Sequence, residues 1–198
     1  MNAFTGKEHT CYYARVLDEH TELAVDVLSD LVLNATLPAK DLEKEKGVVI
    51  EELKNAEDDP DDIIHDYFDK ALFGSPPLGY PVIGTESNLR SFTREDLSKY
   101  IAKHYVPDRM VLAAAGNVSH DKLVALAEKH FGSTRKRIQT PGTERKKPQQ
   151  YRPEKKDFKK PIQQAHICIG SQAWSIKSKH RYPTLVLNTL LGDGMSSR

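Results

Sequence analysis

The sequence predicts a mixed domain, α+β or α/β, from three observations. Apolar residues recur at helical spacing in several stretches, as at Leu23, Val27, Leu28 and Leu31. Short runs with strand character lie near the N-terminus, at "RMVLAAAGN" and at "IQQAHICIGSQAW". Gly- and Pro-rich stretches such as "GSPPLGYPVIGT" separate the two kinds of pattern. Interspersed strands and helices place the chain in a mixed class. Its 198 residues, 38% hydrophobic and 29% charged, suffice for one ordinary domain or two small ones.

The elements follow in order. "NAFTGKEHTCYYARVL" reads as a hairpin, with one strand from Asn2 to Thr5, a turn at Gly6-Lys7 and a return strand from Glu8 to Leu17. "TELAVDVLSDLVLN" is an amphipathic helix whose first turn suits Thr21 and Glu22. A second helix begins near Pro38 and runs through "DLEKEKGVVIEELKNAEDD", with Gly47 inside it at a cost of about 1 kcal/mol relative to Ala. Pro60 ends that helix, and Asp61 and Asp62 start the next, "DDIIHDYFDKALFG". "TREDLSKYIAKHY" is a helix with Thr93 as N-cap and Asp96 in the capping-box position. "RMVLAAAGN" reads as a buried strand. "SHDKLVALAEKHFG" is a helix between an N-cap at Ser119 and a stop at Gly132. After an aperiodic basic stretch, "IQQAHICIGSQAW" alternates as a strand with Ala165, Ile167 and Ile169 on one side. "KHRYPTLVLNTLLG" is helical after Pro183.

Charge divides the chain. Residues 1–134 carry 14 basic and 24 acidic side chains, a net of −10, whereas residues 135–160 carry 11 basic and 3 acidic, a net of +8. The prolines and lysines of 133–160 read as an inter-domain linker. Such a stretch could contact nucleic acid or an anionic membrane, but a solvated connector is the commoner case. No apolar run approaches the ~20 residues that cross a bilayer, and the N-terminus shows no secretory signal. Cys11 and Cys168 are far apart and form no C-x-x-C, which argues against a disulfide framework and for a reducing compartment. A cytoplasmic location is therefore expected.

Chemical motifs are sparse. The histidines form neither H-E-x-x-H nor H-x-x-E-H, and there is no G-x-S-x-G, Walker loop or G-x-G-x-x-G. "VLDEH" resembles half of a zinc motif, with Val16 where the first histidine would stand. His130, beside Phe131 at a helix end, reads as a surface or capping residue. "EKEKGVVIEELK" is less ordinary. Glu45 and Glu52 share a helical stripe with Val48 and Val49. Two readings stand: the carboxylates lie at the stripe's edge and reach water, or they are paired, hydrogen-bonded or bound to a metal, because a bare buried carboxylate is very costly. Glu43, Glu51 and Glu57 lie off the stripe and read as solvated charge.

Taken together, "NAFTGKEHTCYYARVLDEH", "DLEKEKGVVIEELK", "DDPDDIIHDYF", "PLGYPVIGT" and "MVLAAAGNVSHDKLVALAEKHFG" resemble the insulinase/pitrilysin family of zinc metallopeptidases, the inverzincins. The likeness is to its short bacterial members, related to the mitochondrial processing peptidases, and continues through "QQAHICIG" to "LLGDGMSSR". It implies an α+β fold of two similar lobes. Residues 1–132 would be most of the first lobe, 133–160 the linker and 161–198 the start of the second. The resemblance also implies a zinc-dependent metalloendopeptidase acting on extended peptides. In this family two glutamates seven residues apart lie downstream of the His-x-x-Glu-His helix. By that match Glu52 is the zinc ligand and Glu45 a carboxylate supporting the site. The family's Asn-Ala element matches Asn2 and Ala3, followed by Phe4, and pairs with substrate backbone by strand addition.

The departures are as informative. The His-x-x-Glu-His helix belongs N-terminal to Asn2 in the family, the second lobe continues beyond Arg198 with an Arg/Tyr pair, and Pro76 stands where many relatives have histidine. The chain is expected to be the middle of a longer polypeptide, truncated at both ends and inactive alone. Its partner would be a peptide, with neither nucleic acid nor membrane, and exposed core surface would favour homo-oligomers. The alternative is a non-catalytic family member acting as a partner or scaffold subunit.

Overall fold

The computed structural model describes residues 1–74, 77–132 and 153–192. Two strands, β1 (Asn2–Thr5) and β2 (Thr10–Tyr13), come first. They are followed by α1 (Thr21–Leu33), α2 (Ala39–Asp58), α3 (Pro60–Phe73), α4 (Glu86–Ser91), α5 (Arg94–His104), α6 (His120–Phe131) and α7 (Arg181–Gly192). The chain is thus mixed but mainly helical. It divides into two compact units: residues 1–59 with 81–132, and residues 60–74 and 77–80 with 153–192. Most of the expected linker, as well as Pro76 and "DGMSSR", lies outside the described residues.

In the first unit, β1 and β2 pair antiparallel in the register Asn2↔Tyr13, Ala3↔Tyr12, Phe4↔Cys11 and Thr5↔Thr10. The expected hairpin forms, but its turn is the four-residue Gly6–His9, closed by Gly6 N–H donating to His9 O at 2.8 Å. The return strand is correspondingly shorter than Glu8–Leu17. Tyr12 is tied to Tyr105, hydroxyl to hydroxyl, at 2.9 Å. The core is small: Val25, Ile50, Leu53, Val106 and Leu126 are buried, together with Ser29, whose hydroxyl donates to Asp26 O at 2.7 Å. α1 packs on α6 and α2 on α4. Of the apolar stripe read on α1, Leu28 is half-buried whereas Leu23, Val27 and Leu31 are exposed; the buried residues of the helix are Val25 and Ser29.

Helix boundaries follow local chemistry. The Thr93 hydroxyl accepts from Asp96 N–H while the Asp96 carboxylate accepts from Thr93 N–H, completing the expected capping box on α5. Ser119 caps α6 through Lys122 N–H. Gly132 ends α6 with right-handed φ, −64°, and so closes the helix without the left-handed turn expected of it. The short α4, capped by Thr85, was not expected from the sequence.

In the second unit, residues 162–170 run beside α3. His166 Nδ1 lies 2.8 Å from Asp61 Oδ1, and Gly170 sits so close to Phe68 that a Cβ there would lie 2.6 Å from the ring. The expected alternation is present, with His166 and Cys168 half-buried and Ile167 and Ile169 exposed. This segment is nevertheless not a strand, and neither is 109–117. Among the described residues neither has a neighbouring strand to complete a ladder. α7 begins at Arg181, earlier than expected, because Pro183 is tolerated within a first turn.

Candidate functional site

α2 presents the carboxylates singled out in the sequence. Its buried face is formed by Ile50 and Leu53, with Leu42, Lys46 and Val49 at the half-buried margin. Glu45 and Glu52 lie beside this face, exposed, together with Val48. The stripe inferred from the sequence is therefore split: Val49 turns toward the core, and Val48 stays in solvent with the glutamates.

The remaining glutamates of α2 behave differently. Glu43 accepts from Lys46 at 2.7 Å and Glu51 from Lys54 at 2.9 Å. The bond from Glu51, and its charge, hold the Lys54 ammonium above its ordinary pKa. Glu45 and Glu52 have no hydrogen-bond or ion-pair partner among the described residues. Seven residues separate them, which places them on one face about 10 Å apart along the axis. At that separation both cannot bind one ion. One can coordinate while the other supports a coordinating side chain.

A single carboxylate does not make a zinc centre. Catalytic zinc takes three protein ligands and a water. Among the described residues no three His, Cys, Asp or Glu side chains are grouped to hold a metal. The donor set present does not fit zinc by itself, and no hydrolytic step can be assigned to it.

Asn2, Ala3 and Phe4 are brought together on β1, all exposed. β1 pairs with β2 along one edge, and no described strand lies along the other. The Asn2 side chain folds back so that its Oδ1 accepts from Ala3 N–H at 2.8 Å. Phe4 packs edge-on against His9, ring centroids 5.7 Å apart, and near Tyr13 at 6.3 Å, forming an exposed aromatic face on the hairpin.

His130 stands in the last turn of α6, as expected, but not at the surface: it is mostly buried, with Nδ1 3.1 Å from Asp26 Oδ1, and among the described residues its buried Nε2 has no partner. Beside it Lys129 donates to Glu22 at 2.6 Å, a contact that draws the Glu22 carboxyl below and the Lys129 ammonium above their ordinary values. Both pairs join α6 to α1, more than a hundred residues apart in sequence, so no local spacing announces them. They border a cleft of about 600 Å³ also lined by Leu37, Ile101 and Tyr105. Burial first, then the bond to Tyr12, push the Tyr105 phenol up to about 12. Among the described residues no helix is long and apolar enough to cross a membrane.

Comparison with known proteins agrees with the sequence resemblance. Residues 1–86 match the family model described as Insulinase (Peptidase family M16), and residues 91–198 match Peptidase M16 inactive domain. The chain is 46% identical over 198 residues to the uncharacterized zinc protease YmxG of Bacillus subtilis, covering all of this chain and 47% of that protein. An uncharacterized zinc protease of Mycobacterium leprae is 44% identical over 200 residues, with 45% of it covered. One from Rickettsia felis is 35% identical over 199 residues, with 47% covered. The chain spans about half the length of the curated relatives it matches.

Proposed function

This chain belongs to the insulinase family, peptidase family M16, and from that membership we propose that it is a segment of a zinc-dependent metalloendopeptidase that hydrolyses peptide bonds in extended peptides. Glu52 is the metal ligand it supplies, and Glu45 supports the site by orienting another ligand or assisting a proton step. The observation that carries this reading is on α2: Glu43 and Glu51 are neutralised by lysines, while Glu45 and Glu52 stand unpaired on one exposed face. Zinc held by Glu52 together with ligands from elsewhere in a longer polypeptide would supply Lewis-acid activation of a bound water and of the substrate carbonyl. Asn2, Ala3 and Phe4 receive the substrate backbone along the open edge of β1. A peptide pairing at Ala3 N–H displaces Asn2 Oδ1, and the Phe4–His9–Tyr13 face then lies beside it. The partner is a peptide, with neither nucleic acid nor membrane involved, and the setting is cytoplasmic.

The intact chain alone is expected to be inactive, because it supplies one ligand of three. Zinc titration tests this. Weak, non-stoichiometric binding with no peptidase activity is expected. Tight one-to-one binding with activity would sink the segment reading. In a longer polypeptide carrying His-x-x-Glu-His before Asn2, Glu52→Gln abolishes stoichiometric zinc, whereas Glu45→Gln weakens it by about 10–100-fold. The second reading is a non-catalytic partner or scaffold subunit, with which the lack of a grouped donor set among the described residues is also compatible. Sequencing the coding DNA upstream of Met1 separates the two, since a scaffold would lack the motif.

A further inference from the structure

We propose that Arg94 is a positioning residue that clamps the α1–α2 connection and so fixes where α2, the helix carrying Glu45 and Glu52, begins. Its guanidinium spans two successive carbonyls, Nε donating to Leu37 O at 2.8 Å and Nη2 to Thr36 O at 3.1 Å. A guanidinium holds two acceptors in a fixed plane, which a flexible ammonium cannot reproduce.

The clamped turn needs holding. Leu37 has φ +45°, and it is the one non-glycine residue with positive φ among those described. A bulky side chain is strained in that left-handed region. Leu37 also precedes Pro38, whose ring disfavours helical conformations in the residue before it. Such a conformation persists only where its surroundings over-determine it. Here α5 contributes to that: Arg94 bonds the connection, and Ser98, Ile101 and Ala102, with the C-cap Tyr105, line the cleft that Leu37 borders.

α2 has little else to define its start. Its N-cap position is Pro38, which makes no side-chain capping bond, and the first helical bond is Leu42 N–H to Pro38 O at 3.0 Å. α5, by contrast, is fixed by its own capping box, so the clamp is anchored on a helix whose start is set independently. Arg94 therefore transmits the position of α5 to Pro38, and the register of α2 from Pro38 sets where Glu45 and Glu52 project.

The consequence for metal binding rests on Glu52 being a ligand, but the clamp itself does not. Hydrogen exchange on the intact chain tests it. Arg94→Ala is expected to lower protection of the Leu42 and Glu43 amides about tenfold while α6 keeps its protection. Arg94→Lys, with one donor centre for two carbonyls, falls between. Leu37→Gly removes the strain, so adding it to Arg94→Ala is expected to recover protection at the start of α2. Unchanged exchange there in Arg94→Ala, uniform loss across α2 and α6, or no recovery with Leu37→Gly would each overturn the proposal. In the longer, motif-bearing polypeptide, zinc affinity that falls with Glu52→Gln but not with Arg94→Ala would remove the clamp's role at the metal. Affinity indifferent to Glu52→Gln would instead remove the ligand reading and leave the clamp standing.

Discussion

Glu51 and Glu52 are adjacent on α2, yet about 100° of helical rotation gives them different chemistry. Glu51 accepts from Lys54, one turn further on, and Glu52 projects toward the Glu45 and Val48 face where no lysine stands. Sequence alone could register the spacing of these residues but not which of them would be neutralised, because an i,i+3 pair forms only where the two rotamers meet. Gly47, in the same helix, allows a sharper prediction. A Cβ added there meets nothing within 4 Å, so Gly47→Ala is expected to stabilise the chain by about 1 kcal/mol, read as a raised urea midpoint. A destabilised variant would mean that the Gly47 face is covered by something. Tyr105 offers a pH test. Its phenol is held neutral up to about 12, above the ordinary value of 10. Between those values the folded chain binds more protons than the unfolded chain, so stability falls as pH rises from 10 toward 12. Tyr105→Phe should flatten that decline in alkaline denaturation curves.

At the scale of elements, what could be read from sequence follows the reach of the bonds involved. Helix bonds run four residues, so α1 to α3 and α5 to α7 were all legible, and the capping box at Thr93 and Asp96 marked its own boundary. Thr93→Ala is expected to cost about 1 kcal/mol, with the loss in protection concentrated in the first turn of α5. Strands need partners from elsewhere. The hairpin was legible because its partner follows at once, whereas 109–117 and 162–174 had the right composition and no described strand beside them. Glu45 and Glu52 were found through a family pattern rather than through burial. The Arg94 clamp, the His130–Asp26 pair and the Tyr12–Tyr105 bond escaped notice because each joins residues far apart in the chain. α5 also carries an acid-sensitive end. Burial, then the charges of Arg109 and Lys103, hold His104 below its ordinary value of 6.5. The unfolded chain then binds more protons as pH falls through 6.5, so stability is lost toward acid, and His104→Gln should lessen that loss.

At the scale of the molecule, the balance of buried and exposed apolar surface governs behaviour in solution. Among the described residues five hydrophobic side chains are buried, whereas Val111, Ile167 and Ile169 are 91%, 80% and 90% exposed. On α7, Leu185, Val186, Leu190 and Leu191 are all exposed as well. Around Val111 and Ile167 the exposed side chains lie on backbone with no ladder partner among the described residues, a combination that templates pairing with another chain. Exposed apolar surface of this extent marks an interaction site or an aggregation liability. The chain is therefore expected to self-associate, with the weight-average mass in sedimentation equilibrium rising above 22.3 kDa as concentration increases. An apolar fluorescent dye should bind before any denaturant is added. Replacing Ile167 and Ile169 together by lysine removes apolar area and adds like charge to the extended segment, which opposes strand-to-strand pairing. That variant should sediment closer to the monomer while keeping its helical circular dichroism, since neither side chain is part of the core. A wild-type chain that stays monomeric at about 100 μM, within the range where exposed surface drives association, would show that these faces are covered from within the same chain.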